Sequence, residues 1–412
     1  MISFGKAFKG DKVIWCIFVL LCVISFLEIF SATSTIVYKQ QNFMMPILRH
    51  LAFLVAGLGI AMLFQGISYR FFALIMVLGI PLSVILLIVT FFLGEDVNGA
   101  QRWLSIGIFT IQPSEIAKIS MIVFFAFILS RRTEDNEATL FKWMLGCLGG
   151  MCLLIAPENL STACLLFLVC FLMMFIGQIS MMRLLKVGGA IAAAGILIIL
   201  LLKIMPDSSN DYMPDRLATW KGRIERHGGS SGVESDSLKY VITDENYQVA
   251  HAKIAIARGG IIGLPGSGVQ RDFLPQAYSD FIYAIILEEM GLAGGLFVLM
   301  LYLALLIRSG ILASRCERKF PRYLILGAAL MLTIQALVNM AVAVNLIPVT
   351  GQPLPLVSRG GTSTIITCLY FGIILACSAK QTDEEYADEE EDVDADGNEI
   401  EEIKSEEEGK YE

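Results

Sequence analysis

The sequence predicts an all-α polytopic membrane protein of about ten transmembrane helices, and three observations carry that prediction. Of the 412 residues, 56% are hydrophobic and 17% charged, with a mean hydropathy of +0.67, which is too apolar for a soluble domain of this length. Apolar runs of about twenty residues, the length that crosses a bilayer as a helix, recur along the chain. The bases fall in alternate loops, the pattern of a chain threaded repeatedly through a membrane.

The runs lie at roughly 13–33, 47–65, 71–93, 112–130, 141–156, 160–177, 184–204, 279–307, 322–346 and 362–379. An even number of crossings returns both termini to one side. On that side fall Lys6, Lys9, Lys12, Arg70, Arg131, Arg132, Lys142, Arg183, Lys186, Arg308, Arg315, Arg318, Lys319 and Arg322, whereas the short opposite loops hold Lys39, Arg49, Arg102 and Arg359. The termini are therefore expected in the cytoplasm. The first run is too long, and too poor in small residues at its end, for a cleaved signal peptide.

Two regions interrupt the alternation of span and short loop. Between spans seven and eight, about 206–278 form a large extracytoplasmic loop with a Ser/Gly stretch (HGGSSGVESDS) and an amphipathic segment from Tyr247 to Arg258 suited to the membrane interface. Beyond the membrane domain, 1–380, residues 381–412 form an acidic tail expected to be disordered. From Asp383 to Glu412 it holds 17 acids and only Lys404 and Lys410 as bases, which leaves 29 bases against 22 acids elsewhere. The net charge of -8 therefore hides a basic body of about +7, suited to anionic lipid or pyrophosphate. Nucleic acid is excluded as a partner, because no basic, aromatic-interleaved soluble module is present. All nine cysteines fall in spans or on the cytoplasmic side, so no disulfides are expected.

Chemistry-bearing residues gather in the outer loops. VNGAQRWLSIGIFTIQPSEIAK carries Arg102, Trp103, Gln112, Ser114, Glu115 and Lys118. Glu115 and Lys118, spaced i, i+3, share a helix face and can neutralise each other, as structural pair or functional site. Trp103 suits an interfacial anchor. APENLST reads as a polar turn. NLIPVTGQPLPLVSRGGTS, with three prolines and adjacent glycines, reads as a rigid re-entrant or interfacial loop, in which Arg359 suits a phosphate or a lipid headgroup. ARGGIIGLPGSG follows no strand and matches neither GxxxxGK[ST] nor GxGxxG in context, so no nucleotide is expected. Where the large loop enters span eight, DFIYAIILEEMG carries Asp280, Glu288 and Glu289. By residue type and position alone, Asp280 reads as a helix N-cap.

NGAQRWLSIG with QPSEIAK, DFIYAIILEEMGL and PVTGQPLPLVSRGGTS occur in the order and topology of the SEDS family (FtsW and RodA), membrane peptidoglycan glycosyltransferases of bacterial division and elongation. The chain resembles this family from its first span to about Ser378. QALVNM is more like FtsW and PVTGQPLPL somewhat closer to RodA, so the chain leans to FtsW. It departs from the family's PDxGT turn at Pro157, Glu158, Asn159, Leu160, Ser161 and Thr162. It departs from SYGGSS at Ser358 to Ser363, where Arg359 replaces the tyrosine, and from EAHTDF at Gln276 to Phe281, where the aspartate survives as Asp280.

The resemblance implies polymerisation of lipid II at the outer face of the bacterial cytoplasmic membrane, with Asp280 matching the family's essential aspartate as general base. Cations for the departing pyrophosphate would come from Arg102, Arg216, Lys253, Arg258, Arg271 and Arg359, or from a divalent cation, Mg2+ or Mn2+. Further substrate contacts are expected from Trp103, Gln112, Ser114, Glu115, Lys118, Ser358, Gly360 and Gly361. Glu288, two i+4 steps from Asp280 on the same face, is expected to line or brace the cavity about 12 Å deeper, and Glu289 to pair with a base such as Lys118. The implied partners are lipid II, a single-span class B penicillin-binding protein, and other divisome or elongasome membrane proteins. Gly291, Gly294 and Gly295 would let the penicillin-binding protein approach span eight closely. A lipid II flippase and a non-catalytic scaffold are the alternatives. A flippase calls for polar residues through the full membrane depth, whereas here they concentrate toward the outer half, and a scaffold has no need of Asp280.

Overall fold

The computed structural model describes residues 8–33, 44–97, 100–106, 109–204, 222, 242, 246–263, 268–269, 273–274 and 279–379. Arg216, Arg271, most of the large loop and the acidic tail lie outside them.

The helices are α1 (Lys12–Thr33), α2 (Met44–Gln65), α3 (Phe72–Leu93), α4 (Pro113–Ser130), α5 (Glu137–Ile176), α6 (Met181–Ile204), α7 (Tyr247–Gly259), α8 (Ile282–Arg315) and α9 (Lys319–Ala343), followed by α10 (Gly361–Ala379). Apart from α7, each is long and apolar enough to cross a membrane, which makes nine such helices among the described residues. They are apolar on every side because lipid, not water, faces whatever the bundle leaves uncovered. α6 shows this most fully: Leu184 is its one buried residue among those described.

Nine helices and ten crossings are reconciled at Asn159. α5 has 40 residues, about 60 Å at 1.5 Å per residue and twice a bilayer core. Asn159 breaks it with extended backbone, φ −153° and ψ 84°. The chain reverses there, since Cys152 Sγ lies 3.6 Å from Ala163 O, whereas eleven residues along a straight helix would span about 16 Å. The ends of the chain agree with an even count. Asp11 N–H donates to Ser378 Oγ at 3.1 Å, Lys9 N–H to Gln65 Oε1 at 2.9 Å and Arg308 Nε to Asp11 Oδ2 at 3.0 Å. The start of α1 and the far ends of α2, α8 and α10 thus meet at one end of the bundle.

α8 is also broken, at Gly291, whose φ of +68° is a conformation side chains rarely adopt. Its first limb, residues 282–290, folds back along the second, so that Tyr283 Oη donates to Gly295 O at 3.1 Å. Residues 281–289 are all buried. The expected single span at 279–307 is therefore a short buried helix followed by a crossing that starts after Gly291.

One small β-sheet departs from the all-α expectation. β1 (Glu95–Val97), β2 (Ala100–Ile106) and β3 (Phe109–Ile111) form an antiparallel meander of order β1-β2-β3 between α3 and α4. Trp103 pairs with Glu95 and Leu104 with Ile111. The alternation of β2 turns Arg102 and buried Leu104 to one face and Trp103 to the other.

Candidate active site

The loop between α9 and α10, residues 344–360, is irregular backbone, which within a membrane survives only where protein satisfies its polar groups. Side chains from four elements do so. Gln335 and Asn339, i and i+4 on one face of α9, reach it first: Gln335 Nε2 donates to Pro353 O at 3.1 Å, and Asn339 Nδ2 to Gln352 O at 2.7 Å. The Tyr302 hydroxyl of α8 donates to Pro355 O. Gln352 Nε2 donates to Thr162 Oγ1 at 2.8 Å. Ser358 Oγ accepts from Leu354 N–H at 2.8 Å and donates to Ser279 O at 2.6 Å, tying the loop to the residue before Asp280.

Asp280 is half-buried beside this loop. It does not cap α8, whose N-cap position is Phe281 with no capping side chain. Its Oδ1 accepts from Ser279 Oγ at 3.1 Å, its main-chain oxygen accepts from Asn339 Nδ2 at 2.9 Å, and its Oδ2 faces Gly351. Arg102 approaches Gly351 from the other side: a Cβ there would lie 3.6 Å from Asp280 Oδ2 and 3.7 Å from Arg102 Nη1. Arg102 is aimed by its Nε, which donates to Glu158 O at 2.8 Å. A carboxylate and a guanidinium thus flank a spot where glycine leaves room.

Glu115 and Lys118 form the expected pair, 2.7 Å apart and buried, with Lys118 0% exposed. Lys118 Nζ also donates to Gln335 Oε1 at 2.9 Å, which links the pair to the loop. Glu115, in the first turn of α4, also gains from the helix dipole. Ser114 is buried beside it, and Gln112 is the α4 N-cap residue, making no side-chain cap bond.

A second polar pocket opens beside the same loop. Arg49, His50, Thr110, Arg359 and Thr362 line a cavity of roughly 150 Å³, with Gly361 at its wall. Ser25 Oγ donates to Val357 O at 3.1 Å and so accepts from His50 Nε2 at 2.9 Å. Thr362 Oγ1 donates to Thr110 O at 2.9 Å, joining α10 to the sheet.

Other expected residues stand elsewhere. Glu288 is not deeper in this site: its Oε1 accepts from Val269 N–H at 2.9 Å and lies 3.9 Å from Arg258 Nε. Glu289 accepts from Ser31 of α1, not from Lys118. The break at Gly291 is the reason, because it swings the short limb of α8 against the end of α7 and the segment after it. Lys253 and Arg258 lie on the exposed side of α7. The glycine run has its explanation here: a Cβ on Gly259 would lie 1.7 Å from Leu287 O, and one on Gly263 2.4 Å from Glu289 O. Ile261 O and Gly260 O in turn accept from Ala293 N–H and Leu292 N–H, capping the crossing limb of α8. The reason given for close approach by a partner also fails, since Gly291, Gly294 and Gly295 face Ile261 and Gly263, Met290, and Leu287 within this chain.

The polar turn APENLST proves to be part of the site. Asn159 caps the returning limb of α5, its Oδ1 accepting from Thr162 N–H at 3.2 Å, while Glu158 O and Thr162 Oγ1 hold Arg102 and Gln352. An N-cap residue followed three positions later by Thr162 was the available signal. Gln335 and Gln352 left no pattern in the sequence that points to their roles. Among the described residues, no three His, Cys, Asp or Glu side chains gather as a metal site.

The fold and site define a multi-pass membrane protein with a polar, cation-bearing pocket at one end of its bundle. The chain belongs to the FtsW/RodA/SpoVE family of cell cycle proteins, which matches it over residues 11–383. It is 34% identical over 316 residues to the probable peptidoglycan glycosyltransferase FtsW of Marinobacter nauticus, covering 75% of this chain and 73% of that one. It is also 34% identical over 301 residues to the FtsW of Haemophilus influenzae, covering 71% of each. Among solved structures, it resembles a chain of a peptidoglycan synthase complex that coordinates polymerization and crosslinking, at TM-score 0.69 and 25% identity, covering 90% of this chain and 98% of that one. The rod shape determining protein RodA of Thermus thermophilus shares the fold at TM-score 0.61 and 24% identity, covering 90% and 97%.

Proposed function

We propose that this chain is a peptidoglycan glycosyltransferase that polymerises lipid II at the outer face of the bacterial cytoplasmic membrane during cell division, with both termini in the cytoplasm. The observation that carries the reading is the half-buried Asp280 carboxylate, held by its main chain and set across Gly351 from Arg102. The segregation of bases toward the end where the termini meet supports the orientation.

In this reaction the 4-hydroxyl of the acceptor GlcNAc attacks C1 of a MurNAc. The new C1–O bond forms as the bond from C1 to the undecaprenyl pyrophosphate breaks. The hydroxyl proton passes to Asp280, and the electron pair leaves with the pyrophosphate. A sugar hydroxyl is a poor nucleophile, and one positioned base contributes about 10²–10⁴-fold. Arg102, with Arg49 and Arg359 in the neighbouring pocket, would balance charge developing on the pyrophosphate. No nucleotide enters, because the activated lipid drives the reaction. A class B penicillin-binding protein is the proposed partner, crosslinking the strand that this chain makes.

The test is polymerisation of fluorescent lipid II by the purified protein with that partner, comparing wild type with Asp280→Ala at matched folding. Glycan chains from wild type alone support the reading. Equal polymerisation by both removes Asp280 from the chemistry. If neither polymerises while lipid II crosses vesicles in a protein-dependent way, a flippase replaces the enzyme.

A further inference from the structure

We propose that Asn339 is a positioning residue for Asp280, acting through the main chain and not by contact with substrate. This rests on the reading of Asp280 as the base.

Asn339 lies within apolar α9 and is 1% exposed. Its Nδ2 donates both its protons to carbonyls, one to Asp280 O at 2.9 Å and one to Gln352 O at 2.7 Å. Two acceptors on one side fix which end of the amide is nitrogen, since a flip would set oxygen against oxygen. The Oδ1 that remains is buried with no hydrogen-bond partner. A buried acceptor left unmet is destabilising, and a leucine would avoid it. The two donated bonds are what the amide provides in return.

What those bonds hold is the peptide that aims the carboxylate. Asp280 precedes the first turn of α8, and its carbonyl accepts from Asn339. Ser358 holds the carbonyl one residue earlier. Successive carbonyls, 279 and 280, are therefore anchored by side chains from the α9–α10 loop and from α9, which fixes the direction of the Asp280 side chain between them. The second carbonyl held by Asn339 belongs to Gln352, next to Gly351, the spot flanked by Asp280 Oδ2 and Arg102 Nη1. One amide thus sets the spacing between the base and the loop it faces. Misplacement by about 1 Å costs on the order of 10²-fold in rate.

Asn339→Leu separates positioning from support. It removes the unmet Oδ1 but also takes this donor from the Asp280 and Gln352 carbonyls, so thermal stability should fall modestly while the variant stays folded. With the penicillin-binding partner present, kcat for lipid II polymerisation should fall about 10- to 100-fold with KM unchanged. A folded leucine variant with wild-type kcat, or with KM raised and kcat kept, overturns the proposal. Should that variant not fold, Asn339→Asp keeps the shape but loses the donors. Its kcat should be low at neutral pH and, taken as a ratio to wild type at the same pH so that protonation of Asp280 cancels, recover in part on acidification, when the carboxyl can donate once; wild-type kcat at neutral pH overturns the proposal. Asp280→Asn, assayed alongside, tells the two failures apart. If it is inactive while Asn339 variants are unimpaired, only the positioning role falls, and if it is fully active the general-base reading falls with it.

Discussion

The two ends of the bundle are held by different chemistry. Around Asp280, neutral amides and hydroxyls from Asn339, Gln335, Gln352 and Ser358 grip carbonyls and the Thr162 hydroxyl, with carboxylate and guanidinium half-exposed across Gly351. At the end where the start of α1 meets the close of α10, charges pair with one another. Asp11 takes Arg308 with one oxygen and caps α1 with the other, accepting from Val13 and Ile14 N–H at 3.0 Å each. Glu137 is met by Arg132 at 2.7 Å and Arg183 at 3.0 Å. At the site end most of the scaffolding is done by neutral groups. An end that only closes the bundle spends its charges on structure.

The sharpest way to break the comparison is at Asp280. Asp280→Ala should lower lipid II polymerisation by about 10²–10⁴-fold without lowering the melting temperature in detergent. A matching loss of stability would make this residue structural like those at the far end.

Lys118 and Glu115 are the exception at the site end, a charged pair used structurally. Lys118→Ala strands a buried carboxylate and should destabilise the protein by about 3–5 kcal/mol, measured by thermal unfolding. Pairing Lys118→Met with Glu115→Gln should recover most of that loss, and no recovery would mean that the intact pair and its Gln335 bond, not the stranded charge, set the stability.

Gly263→Ala comes next. Its Cβ would enter the main chain at Glu289 and Gly291, so the contact between the α7 segment and α8 should open, with faster proteolysis after α7 and roughly 1–3 kcal/mol lost.

The smallest effect is expected at Asp11. Burial pushes its carboxyl up, but the Arg308 hydrogen bond and charge and the Ile14 and Val13 N–H groups hold it below the usual range. Its folded pKa is therefore depressed, so its contribution is present above about pH 4, where the unfolded carboxyl is ionised, and fades as pH falls through the folded value. Because Asn caps as well as Asp, Asp11→Asn should cost only the charge of the Arg308 pair, up to about 1 kcal/mol at neutral pH, and nothing in strong acid. A pH-independent difference in melting temperature would contradict the assignment.

Much of the fold was legible because lipid imposes a simple code: runs of twenty apolar residues, bases in alternate loops, and i, i+3 spacing for Glu115 and Lys118. Asp280 and Arg102 were legible through family motifs, their juxtaposition was not. Glu288 misled because helical spacing was extended past Gly291, where the chain turns. The ENLST turn was undervalued because its worth depends on Arg102, 56 residues from Glu158, and Gln352, 190 residues from Thr162. The sequence alone determined that the chain is membrane-embedded and how often it crosses, because these follow from local hydrophobicity, and its family motifs singled out Asp280. Tertiary structure decided which carbonyls meet which amides, and so where Asp280 points. Those contacts are set by backbone reversals at Asn159 and Gly291 and by packing between helices far apart in the chain, which no local pattern encodes.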